Sequence, residues 1–182
     1  MQLRVATDQP WAVPADVLAI PMAAKPTFSG PLAELDKRSG GELHGIVDFG
    51  EYTGKRFGTA LAAAGEIKAS RLLAVGMGDP ATVGREVVVR VGATAERRLG
   101  GRQVKRLAVW LTPLVDALGG DASTAAELVA RGVVEGAYDP HTIYRESVKT
   151  APPVLDELIL IAPGTDATAL QKAADRGVII GE

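Results

Sequence analysis

The residues that could do chemistry in this chain are few, and most of them stand apart. Gly54-Lys55-Arg56 offers the end of a phosphate-binding loop. Such a loop also needs a glycine upstream at fixed distance and a Ser or Thr after the lysine, and neither is present. The segment reads instead as a turn leading into the next strand. Gly76-Met77-Gly78-Asp79-Pro80 could bring a phosphate to backbone donors between a strand and a helix. The third glycine of a dinucleotide fingerprint is missing, and Pro80 removes one donor. A structural turn is the reading, with a phosphate site as the alternative. Arg97, Arg98, Arg102, Lys105 and Arg106 gather five cations within ten residues. They could meet phosphates, yet they equally suit a solvated helix end, and the acidic overall balance favours the latter.

The only two histidines, His44 and His141, have no partner at ligand spacing, and each reads as a surface or turn residue. Asp156 and Glu157 are adjacent, so on a strand they would face opposite ways and could not work as a paired acid and base. No nucleophile elbow, H-E-x-x-H helix or EF-hand loop occurs. With no cysteine, thiolate metal sites, disulfides and a cysteine nucleophile are all excluded. The sequence therefore nominates no catalytic, cofactor-binding or metal-ligating residue of its own.

The elements around these residues alternate between strand and helix, which predicts an α/β layered domain. Strands are expected over Leu3 to Thr7, Val17 to Ile20, Thr59 to Ala64, Arg71 to Val75, Val104 to Leu111 and Leu158 to Ile161. A helix is expected over Pro31 to Arg38, closed by Gly40-Gly41. A second opens at Asp79-Pro80 and runs to Leu99, burying Val83, Val87, Val91, Ala95 and Leu99 at four-residue spacing. Thr124-x-x-Glu127 predicts a capping box for a third, which reaches about Ala137 and turns Leu128, Val129, Val133 and Ala137 inward. Pro140 and Pro152-Pro153 interrupt the chain before the last strand. A closing helix near Asp166 buries Leu170, Ala173, Ala174 and Gly177, and its apolar Val178-Ile179-Ile180 continues without a stop signal.

At 182 residues and net charge −2, one domain with an aliphatic core is the simplest organisation, and the charge gives no general attraction for nucleic acid. No basic-then-apolar leader and no membrane-length apolar run is present, so a cytoplasmic location without a membrane partner is expected.

The run from Leu35 to Gly78 carries a resemblance. It reads L-D-K-R-S-G-G-E-L, then Y-T-G-K-R-F-G-T-A-L, then R-L-L-A-V-G-M-G. In order and spacing this resembles the N-terminal domain of the leucyl (cytosol) aminopeptidase family. Looser likenesses follow at Thr124 to Tyr138, at Tyr144-Arg145, at Leu155-Asp-Glu-Leu-Ile-Leu-Ile and at Ala174-Asp-Arg-Gly-Val. The resemblance implies a macrodomain-like fold, three-layer, with a mixed central sheet flanked by helices on both faces. It implies one non-catalytic domain over 1–182, with assembly and regulation as its role and its own C-terminal peptidase domain as partner in a homo-hexamer. Two divalent metals, zinc or manganese, would sit in that other domain. Their lysine and carboxylate ligands, including an N-T-D-A-E-G-R segment, do not occur here. The chain's end is expected to fall about where that domain would begin. The alternative is a stand-alone macrodomain-like module binding ADP-ribose or a related nucleotide. In its favour, Asp16 to Lys25 faintly resembles the first strand and loop of such modules; against it, Met22 and Lys25 stand near the places where they carry asparagines.

Overall fold

The computed structural model describes residues 1–138 and 155–182. Six strands form one sheet: β1 (Gln2–Ala6), β2 (Ala15–Ala23), β3 (Thr59–Ala63), β4 (Ala69–Gly78), β5 (Arg106–Trp110) and β6 (Glu157–Ile161). Their spatial order is β1-β6-β5-β2-β4-β3. All neighbours pair in parallel except β3, which runs antiparallel to β4 at one edge. Helices α1 (Gly30–Ser39), α2 (Glu42–Asp48), α3 (Arg85–Leu99), α4 (Thr112–Ala117), α5 (Ala122–Ala137) and α6 (Ala167–Gly181) complete the order. This is the three-layer mixed-sheet arrangement expected from the sequence.

The central strands are apolar at nearly every position because both sheet faces are covered. Along β2, Val17 and Ala19 pack towards α3, α5 and α6, while Leu18, Ile20 and Met22 join Leu35, Leu43 and Ile46 of α1 and α2. Alternate residues of β4 divide the same way, with Leu73 and Val75 on one face and Leu72 and Ala74 on the other. Each large side chain so buried contributes on the order of 1.5–3 kcal/mol.

On the α3 face the helices meet backbone to backbone. A Cβ on Gly132 of α5 would lie 1.9 Å from the Val89 oxygen of α3, and one on Gly177 of α6 would lie 2.1 Å from the Glu127 oxygen of α5. Only glycine permits such an approach. Around it Val88, Val91 and Ala95 pack onto Ala126, Val129 and Val133. This burial holds Val87-Val88-Val89 in a helix against their β preference.

Several local expectations are corrected. The helix expected from Asp79 begins only at Arg85. Asp79 instead caps a short 3₁₀ turn, Pro80–Thr82, by accepting from the Ala81 N–H at 3.0 Å, and Gly84 then precedes α3. In α5 the cap is Asp121, whose Oδ1 accepts from the Thr124 N–H at 2.9 Å. Thr124 therefore lies inside the first turn, and no Thr124–Glu127 box forms. Ala137, expected inward, is exposed at the helix end. Helices α2 and α4 were not expected at all. Pro140, His141, Tyr144, Arg145 and Pro152-Pro153 lie outside the described residues.

Candidate functional site

Between β2 and β5 the chain changes its direction of winding. After β2 it crosses to α1 and α2 on one face, whereas β4 and β5 are followed by helices on the other. The loops therefore part above the carboxyl ends of these strands, which is where open α/β sheets hold ligands. A cleft of about 630 Å³ opens there. Pro21, Met22 and Ala23 of β2, Met77 of β4 and Trp110 of β5 form its floor, with Pro26, Thr27, Ser29 to Leu32, Pro80-Ala81 and the α4 residues Thr112, Pro113, Asp116 and Ala117 around it.

The floor is held by specific contacts. Tyr52, buried behind β2, donates its hydroxyl to the Met22 and Ala23 carbonyl oxygens at 2.8 and 2.9 Å, and its burial holds the phenol well above its ordinary range. Gly54-Lys55-Arg56 forms the turn that braces this end of the sheet. Gly54 has φ +71°, and a Cβ there would meet the Ala24 oxygen at 2.1 Å. A Cβ on Gly76 would likewise lie 2.1 Å from the Lys55 oxygen, and Gly76 exchanges backbone hydrogen bonds with Phe57 and Gly58 at 2.7 and 2.8 Å. The glycines of both segments thus serve chain packing, but Gly76 to Gly78 form the end of β4 rather than a turn, which follows only at Pro80–Thr82. The Arg56 guanidinium donates to the carbonyl and hydroxyl of Thr82.

Trp110 is 3% exposed, and its indole Nε1 has no acceptor among the described residues. A buried donor left unpaired costs about 1–3 kcal/mol. Far from it, the Glu96 Oε2 on α3 is likewise buried without a partner, and burial raises that carboxyl's pKa.

The residues singled out in the sequence do not converge. His44 donates its Nδ1–H to Asp36 Oδ2 at 3.0 Å and stacks on Phe28 with ring centroids 3.8 Å apart, so it is a surface residue tied to α1. The five-cation group is dispersed. Arg106 pairs with Asp16 at 3.4 Å, Lys105 with Asp156 at 3.5 Å, and Arg102 donates to the Arg98 carbonyl. Asp156 and Glu157 separate, since Glu157 pairs with Arg4 at 2.9 Å. Among the described residues no three His, Asp or Glu side chains gather as a metal centre requires. The cleft itself was missed because its lining comes from three separate stretches of chain with no shared motif. The only local sign of it was the Gly76 to Pro80 turn that borders it.

A six-stranded mixed sheet between two helical layers, open at its strand ends, defines a domain of the macrodomain type. An Oceanobacillus iheyensis macrodomain matches it with TM-score 0.67 over 95% of this chain and 90% of its own, at 8% identity. A mutant tomato leucine aminopeptidase matches with TM-score 0.77 at 19% identity, over 97% of this chain and 35% of its own. Sequence narrows the class further. The model of the cytosol aminopeptidase family, N-terminal domain, matches residues 17–145, and this chain belongs to that family. The probable cytosol aminopeptidase of Geobacter sulfurreducens is 30% identical over 172 residues, covering 88% of this chain and 34% of that protein. The chain spans about a third of the length of the relatives it matches.

Proposed function

We propose that this chain is the non-catalytic N-terminal domain of a larger cytosolic metallo-aminopeptidase, and that it serves assembly and regulation. The observation that carries the reading is the extent of the match: the N-terminal family model accounts for residues 17–145, while the relatives are about three times as long. The partner is then the peptidase domain of the same enzyme, within a homo-hexamer. Zinc or manganese in that domain would supply the activated water. On this reading the metals and their chemistry belong to the other domain. Ile179 and Ile180, adjacent on the last turn of α6 and 72% and 53% exposed, support a domain that packs against a partner.

The test is metal-dependent release of product from a chromogenic leucine substrate, with zinc or manganese added to the pure 182-residue chain. No turnover is expected. Turnover that a chelator abolishes would overturn the reading.

A further inference from the structure

We propose that the last turn of α6 is a proton-controlled latch, closed while Glu96 of α3 is neutral and loosened when Glu96 is charged. The inference does not depend on the peptidase reading, since it rests on the packing around one buried carboxyl.

Glu96 is 8% exposed, and its Oε2 has no hydrogen-bond partner among the described residues. No ion pair among those residues includes it. The residue borders a cavity of about 130 Å³, walled by Val133 and Val134 of α5, Leu155 before β6 and Val178 of α6. In such surroundings a neutral carboxyl forgoes a hydrogen bond, whereas a charged one forgoes its hydration. Burial accordingly raises the Glu96 pKa. Two other residues with ionisable groups line the cavity, Met1 before β1 and Glu182 after α6. The Met1 ammonium favours a charged Glu96, and Glu182 opposes it. On α3 and α5 the nearest charged neighbours in sequence, Arg97 and Glu135, line a separate groove beside Phe57, and Glu135 holds Arg131 at 2.6 Å.

Because Oε2 is shut off from solvent, hydrating a charged Glu96 requires a wall of the cavity to move. Helices α3 and α5 resist parting. A Cβ on Gly136 of α5 would lie 2.8 Å from the Ala93 Cα and 3.1 Å from the Cβ of Glu96 itself. The end of α6 is the freer wall. Its Val178 faces the cavity while Ile179 and Ile180 beside it are exposed, and helix ends open more readily than helix middles. That turn carries the isoleucines offered to a partner, so the charge on Glu96 sets how firmly they are held.

Carbon-detected spectra of the 182-residue chain read the Glu96 carboxyl directly, with Glu96→Gln identifying its signal. Its titration midpoint is expected clearly above the ordinary 4.5. With the folded value raised, stability is fullest below 4.5 and is lost as pH rises through the folded midpoint. Between about pH 5 and pH 8 the wild-type melting temperature should therefore fall by about 2 °C or more relative to Glu96→Gln. Over the same range, hydrogen exchange at Val178 to Gly181, corrected for its intrinsic pH dependence, should quicken several-fold in wild type and hold steady in the variant. Glu96→Leu, neutral and of similar size, repeats the comparison where glutamine disturbs the packing. The proposal is overturned by a midpoint at or below 4.5, or by the same pH slope in wild type and both neutral variants. It is equally overturned if protection is lost evenly along α3, α5 and α6 rather than in the last turn of α6.

Discussion

A methyl group at position 132 would lie 1.9 Å from the Val89 oxygen, and backbone cannot move aside as a flexible side chain can. Gly132→Ala must therefore push α3 and α5 apart and loosen the Val88, Val129 and Val133 packing between them. Gly45, in the middle of α2, has nothing within 4 Å of its Cβ position, so alanine there only gains helix propensity. Urea unfolding should show Gly132→Ala destabilised by about 1–3 kcal/mol. Gly45→Ala should be stabilised by about 0.5–1 kcal/mol. Equal effects from the two would contradict the backbone contact. Gly132 was not singled out in the sequence, because a glycine required by a neighbouring backbone looks like any other glycine until that neighbour is placed.

At the scale of elements, the start of α5 rests on Asp121. Its hydrogen bonds with the Thr124 side chain and backbone N–H hold its carboxyl below the usual range. A depressed carboxylate contributes stability that is present above its unfolded pKa, near 3.9, and is lost as pH falls through the lower folded value. Asp121→Ala should cost about 1 kcal/mol at neutral pH. The cost should shrink below pH ~4, as the wild-type carboxyl takes up its proton. Thermal melts at pH 7 and pH 3 would check this, and a pH-independent difference would exclude the charged cap. Here sequence reading succeeded and failed for identifiable reasons. The periodicity of α5 and α6 was legible because each buries one continuous face. The cap of α5 was misplaced because Thr124 matched a four-residue pattern while Asp121, three positions earlier, held the better geometry. Helix α4 was missed because six residues starting Thr112-Pro113 give no period to read. Helix α2 was missed because Gly40-Gly41 read only as the close of the helix before it.

At the scale of the molecule, the layered fold was readable from the alternation of element types, and the family from the Leu35 to Gly78 run. The cleft was not, since sequence order does not say which strand ends become neighbours when β5 returns beside β2. The central claim is that this domain works as one part of an aminopeptidase about three times its size. An antibody raised against the 182-residue chain, used to blot an extract of the cells that make it, tests that claim most directly. The account predicts a band at roughly threefold the 18.9 kDa of this chain, since 34% of the Geobacter sulfurreducens relative is covered. A single band at 18.9 kDa would contradict it and leave the domain to act alone.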